Sequence, residues 1–296
     1  MRDLIRSLVP KPLLEWNRRR KKRAVRKELA EQRERGAVLT KDQLVAELKV
    51  AGVERGRDLL VHSSLSAIGY VDGGPDAVIE ALLEVIGPEA TLLMPSSPVV
   101  TLQAKHELAV FDVDQTPSKM GAITEVFRKN WAQYRSAHPL EPVCAYGPKA
   151  QWYTEDHLLD GTSYGKNSPW NRHMERGGQL LYIGTTLINS GTSLHAVEDA
   201  IGADSMPMPV YMPESREFEV SFGGKRQTVQ SRVHNPEVSA TRKCDGLIPL
   251  LERRGTLKRV LLGKAECLLV DAGQMKSILL EEYEQHGVTM YTPEGI

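Results

Sequence analysis

Residues 58–95 constrain the fold more than any other stretch. DLLVH (58–62) is a short apolar run, Gly73-Gly74-Pro75 leads into DAVIEALLEVIG, and ATLLMP (90–95) is a second short apolar run. Val78, Leu82 and Val85 recur at helical spacing, and Gly87 is the residue type that stops a helix. Two buried strands joined by one helix lie parallel, because the chain must cross over the sheet to return. The alternation continues with helices near 121–129, 148–157 and 169–176 and with the strand QLLYIG (179–184). Helices layered on a largely parallel sheet are expected.

On either side of this unit the signals are local. Thr40-Lys-Asp-Gln43 has the form of a capping box and opens a helix carrying Leu44, Val45, Leu48 and Val50. REFEVSF, Gly223-Gly224 and KRQTVQS read as a β-hairpin. A last helix, strand and helix follow through LIPLLERR, KRVLLG and the stretch from Asp271. One α/β domain over residues 37–296 with an appended hairpin is more economical than two domains.

Residues 1–36 differ from the rest in charge. They hold 13 Lys/Arg against 5 Asp/Glu, while the whole chain has 38 of each, so the remainder is acidic by 8. WNRRRKKRAVRKELAEQRER has no Gly or Pro and reads as a charged helix. Two roles stay open: a solvated helix lying on the body or on a sister subunit of a homo-oligomer, or a contact with an anionic membrane surface. The second would use an apolar edge of Leu4, Ile5, Leu8, Val9, Leu13, Leu14 and Trp16 beside the basic run. No nucleic-acid recognition motif accompanies the charge. Cys144, Cys244 and Cys267 are odd in number and form no C-x-x-C, so neither a zinc cage nor a disulfide scaffold is expected. A reducing, cytoplasmic setting fits these cysteines, and there is no run of about 18 apolar residues to span a bilayer.

The candidate chemistry gathers at strand ends. His62-Ser63-Ser64 closes the first strand without the glycines of a G-x-S-x-G elbow, which leaves ligand contact or a hydroxyl-bonded turn. Arg135, Ser136 and His138 combine a cation, a hydroxyl and an imidazole before Pro139, in a phosphate site or a surface turn. In NSGTSLHAVED (189–199), a helix starting near Thr192 or Ser193 puts His195 in its first turn. The helix dipole there disfavours imidazolium, and a general base must be neutral. Glu198 and Asp199 share the side of His195 and could orient it. A capping or core histidine is the alternative. His234, in SRVHNPEVS, is a turn residue or sits over the cleft. No metal is expected, since neither H-E-x-x-H nor a nearby second histidine is present.

Taken together and in order, LLVHSSLSAIGYVDGGPDAVIEALLEVIGPEATLLMPS, GAITEVFRK, RSAHP, GPKA, NSPWNRH, GGQLLYIG and TSLHAVED resemble the aminoglycoside 3-N-acetyltransferase family over residues 40–202. The resemblance implies a three-layer α/β/α fold of the antibiotic acetyltransferase type, distinct from GNAT, with a largely parallel or mixed sheet and an added hairpin. It implies acetyl transfer from acetyl-coenzyme A to a primary amine of an amino sugar. It places His62, Ser63, Ser64 and Leu65 against pantetheine, Arg135, Ser136 and His138 on the coenzyme, and Ser168 and Pro169 in the tunnel wall. His195 becomes the base and Glu198 its acidic partner. His234 stands where family members can carry a catalytic glutamate, three residues before Glu237. That departure and the basic extension resemble polysaccharide-biosynthesis relatives, so a nucleotide-linked amino sugar is the expected acceptor. An aminoglycoside acceptor, or a non-catalytic coenzyme- and sugar-binding protein, is the alternative.

Overall fold

The structure, a computed structural model, describes residues 11–99 and 109–296, without the side chains of 11–15, Arg18 and Lys22. In chain order its main elements are α1 (Lys11–Glu34), α2 (Lys41–Ala51), β1 (Leu59–Ser63), α3 (Gly74–Ile86), β2 (Leu92–Pro95) and β3 (Val110–Asp112). Next come α4 (Ala122–Val126), β4 (Tyr134–Arg135), β5 (Val143–Tyr146), α5 (Pro169–Glu175), β6 (Gln179–Ile183) and α6 (Leu194–Ile201). The chain ends with β7 (Arg216–Phe222), β8 (Lys225–Ser231), β9 (Leu257–Leu262), β10 (Ala265–Asp271) and α7 (Ala272–His286).

The central sheet runs β4-β5-β2-β1-β6-β10-β9. Only β1 with β2 and β1 with β6 pair in parallel; the four outer pairings are antiparallel. Of the two expected arrangements, largely parallel or mixed, the sheet is the mixed one. Two of the antiparallel pairings come from β5 and two from AECLLVD, which forms β10, a strand the sequence pattern did not announce. Gly263-Lys264 joins β9 to β10 as a tight hairpin, and a hairpin can only place its strands antiparallel. The β7–β8 hairpin forms about Gly223-Gly224 as expected and takes β3 as a third strand.

Strand pleating sorts the core onto two faces. Leu59, Val61, Leu181, Ile183, Leu92 and Met94 point to one, against the buried stripes of α2 and α3. Leu60, Leu180, Tyr182 and Leu93 point to the other, against Trp170 of α5 and Met275 and Leu279 of α7. Each such fully buried side chain contributes about 1.5–3 kcal/mol. The result is the three-layer α/β/α arrangement. Local signals hold in detail: Thr40 and Gln43 complete the capping box of α2, and Gly87, at φ +75°, closes α3. Val50, by contrast, is exposed.

Helix α1 meets the body near its C-terminal end, where Gln32 accepts a bond from the Tyr70 amide at 3.0 Å and Glu28 faces Lys264 at 4.0 Å. Of the apolar edge read from the sequence, Leu4, Ile5, Leu8 and Val9 and the side chains of Leu13 and Leu14 lie outside the described residues; Trp16 is exposed. No described helix is long and apolar enough to cross a membrane.

Candidate active site

The parallel strands β1 and β6 end side by side, Ser63 opposite Ile183. Crevices open beyond such carboxyl ends. Gly184 allows the close approach there: its φ is +62°, and a Cβ would sit 2.2 Å from that of Ala67. The chain then turns through small residues into α6, where His195 is the second helical residue and Glu198 lies one turn on, both buried. Leu194 and Val197 anchor the helix in the core.

His195 is held from both ring nitrogens. Its Nδ1 bonds Glu198 Oε2, and its Nε2 lies 3.1 Å from Arg242 Nη1. A guanidinium can only donate, so Nε2 accepts and the ring proton sits on Nδ1, donated to the carboxylate. Both neighbours therefore demand the neutral Nδ1–H tautomer, with its lone pair on Nε2. Tyr164 stacks on the ring at 4.9 Å, and burial holds the Tyr164 hydroxyl well above the usual phenol range. His234 arrives from the loop after β8, with its ring centroid 4.2 Å from that of His195 and its Nε2 3.6 Å from Glu198 Oε2. Tyr211 stacks on His234 at 4.5 Å and donates to Asp199, whose other oxygen accepts from Thr162.

His195, Glu198 and His234 bring their ligand atoms within 4.8 Å of one another, although no metal-binding spacing exists in the sequence. A cation there would have to displace the Arg242 or Glu198 contacts of His195. Arg242, Tyr164 and Tyr211 carry no motif; only the fold brings them to the ring.

The residues expected on the coenzyme divide into two groups. His62, Ser63, Ser64 and Leu65 stand at the strand ends. His62 is sandwiched by Tyr182 at 5.0 Å and Trp170 at 5.9 Å, and burial, then the neighbouring His173, pushes its pKa down to about 3. His62 Nε2 and Ser63 Oγ are buried with no hydrogen-bond partner among the described residues, which suits a ligand carrying amide groups. The Ser64 amide donates to the Ile183 carbonyl at 2.9 Å, so it is not available to an oxyanion. Leu65 is half-buried at the start of a short helix.

The second group is built into the scaffold. Arg135 donates four hydrogen bonds, to Ser96 Oγ and to the carbonyls of Ser96, Val113 and Thr116, and covers the Phe111 ring. Four of its five N–H donors are thus engaged among the described residues. Ser136 Oγ accepts from the Val143 amide at 2.9 Å and bonds His157 Nδ1 at 2.8 Å. His138, fully buried, meets the Leu140 amide, Ser163 and Ser231. Ser168 caps α5 by accepting from the Asn171 amide at 3.1 Å, with Pro169 as the first helical residue.

The family model described as aminoglycoside 3-N-acetyltransferase matches residues 60–283. The chain belongs to the aminoglycoside 3-N-acetyltransferase family. Membership makes it an acyltransferase, an N-acetyltransferase using acetyl-CoA. It is similar to YokD of Bacillus subtilis, an aminoglycoside N(3')-acetyltransferase-like protein, at 32% identity over 54% of this chain and 64% of YokD. Aminoglycoside N(3)-acetyltransferase III of Acinetobacter baumannii is 29% identical over 86% of this chain and 95% of that enzyme. Among solved structures, AAC-IIIb with coenzyme A superposes with a TM-score of 0.69 at 25% identity, covering 84% of this chain and 97% of that one.

Proposed function

We propose that this member of the family transfers the acetyl group of acetyl-CoA to a primary amine of an aminoglycoside, with His195 as general base and Glu198 as the residue that orients it. The observation that carries this reading is the neutral Nδ1–H tautomer of the buried His195, fixed by a carboxylate on Nδ1 and by the Arg242 guanidinium on the lone pair of Nε2. An ammonium is not a nucleophile, so the acceptor must lose a proton. That proton goes to solvent, and as the neutral amine nitrogen attacks the thioester carbonyl carbon His195 Nε2 takes a second proton from it. The C–S bond then breaks, and the departing thiolate takes the proton back from the imidazolium. Glu198 stabilises the ring while it is charged, and His234 packs against both. Holding donor and acceptor together makes the step effectively unimolecular.

The buried, unpartnered His62 Nε2 and Ser63 Oγ support a place for the pantetheine amides of acetyl-CoA beside the strand ends. This reading assigns the chemistry to residues 37–296 and leaves the basic residues 1–36 as an extension. The expectation of a nucleotide-linked acceptor rested on that extension and on His234; the relatives named above are aminoglycoside acetyltransferases or like them, so the aminoglycoside takes precedence. The test is His195→Ala in a thiol-release assay over an aminoglycoside panel, with coenzyme A binding followed by calorimetry. Turnover is expected to fall by about 10²–10⁴-fold with binding unchanged. Near-normal turnover would remove His195 from the mechanism.

A further inference from the structure

Arg242 creates a conflict that the proposed reaction must resolve. Its Nη1 donates to the lone pair with which His195 would accept the proton, at 3.1 Å, and its Nε donates to the Ser239 carbonyl at 2.8 Å. Once His195 is protonated, Nε2–H and Nη1–H would point at one another, two donors on two cations. The acceptor nitrogen needs the same direction of approach, and while protonated it too is a cation. Base, guanidinium and acceptor therefore have no common arrangement. The arm is tethered on its inner side by one backbone carbonyl and is only half-buried, so it has room to leave.

We propose that Arg242 is a latch on the general base, a positioning residue that occupies the His195 lone pair until the acceptor amine displaces it. The proposal rests on the reading of His195 as base. Closed, the latch holds the ring in the neutral, correctly oriented tautomer. It also selects for acceptors that can push a guanidinium aside, which a multiply charged amino sugar does by repulsion and by supplying its own donor. Among the described residues, the other charged or titratable groups facing this ring are Glu198 on its own helix, His234 from the loop after β8 and Tyr164 from the loop before α5; Tyr291 and Asp199 lie near Glu198. Among these, Arg242 is the fixed cation, and it opposes imidazolium.

Removing it has two readouts with signs fixed in advance. In the free enzyme, Arg242→Met takes away a cation and a donor to the neutral ring, so the His195 pKa rises, by about one unit, in an NMR titration. Arg242→Lys keeps the cation and is expected to keep the wild-type value. In steady state with acetyl-CoA and gentamicin, a latch closed nine times in ten weakens acceptor binding about tenfold, and the methionine variant recovers that in KM. The acid limb of kcat/KM, which reports the free enzyme, moves to higher pH. The limb of kcat stays, because Arg242 has already left in the ternary complex. An unchanged ring pKa in Arg242→Met, or a collapse of kcat with KM unmoved, overturns the latch. Retained turnover in His195→Ala would instead overturn the base assignment, and the NMR shift would still be seen.

Discussion

Two carboxylates are buried at opposite ends of the central strands, and they differ in what their partners have left over. Asp58, just ahead of β1, accepts from the Tyr153 hydroxyl and the Thr91 amide, each at 2.8 Å, and faces Lys149 at 3.5 Å and Arg176 at 3.3 Å. Every partner is a donor with its bond made, and two fixed cations balance the charge. Glu198, beyond the end of β6, faces two imidazoles, and one of them presents a lone pair on its far side. Burial with a carboxylate, a histidine and a tyrosine nearby describes both corners. A basic atom held ready for a proton describes only the second.

The comparison breaks if the two carboxylates can be exchanged in their effects. Asp58→Ala is expected to be the most damaging change: it leaves the Tyr153 hydroxyl and Thr91 amide without an acceptor and two cations without their counter-charge. The loss, by urea denaturation, should be about 2–4 kcal/mol, held down because both cations reach solvent. Activity per folded molecule should survive. Glu198→Gln should show the reverse, a fall of about a hundredfold in kcat, since an amide neither fixes the ring tautomer nor stabilises imidazolium, with little change in denaturation midpoint.

Two smaller changes sharpen the contrast. Ser136→Ala removes the acceptor of the buried Val143 amide and the partner of His157, for about 1–3 kcal/mol of stability. An effect on coenzyme KM instead would move Ser136 from scaffold to site. The smallest effect concerns pH. Burial pushes His62 down to about 3 and His157 and His173 to about 4, from 6.5. Folded-state values below the unfolded one mean that the stabilisation is complete above about pH 6.5 and is lost as pH falls toward 4, where only the unfolded chain takes up protons. Replacing His173 by Gln should flatten the fall of stability with pH by one proton, about 1.4 kcal/mol per pH unit.

What the sequence disclosed was local or ordered along the chain. The capping box at Thr40, the stop at Gly87, the hairpin about Gly223-Gly224 and the placing of His195 in the first turn of α6 all depend on neighbours within a few residues, and all four are present. β10 was not legible, because an apolar run next to a helix start has no period of its own until β6 and β9 flank it. Nor did the RSAHP motif disclose that Arg135 braces three segments, or that His138 is sealed inside. Arg242 stands in an irregular stretch without motif, 3.1 Å from a ring on α6, and only tertiary contact reveals it.

The claim beneath both corners is the protonation of one ring. A ¹⁵N NMR measurement of the histidine nitrogens at neutral pH, with His195→Gln assigning the signals, tests it most directly. The expected result is a protonated Nδ1 and a bare Nε2 at His195. A proton found on Nε2 would leave Glu198 without its donor and the acceptor amine without its base, and would contradict the account.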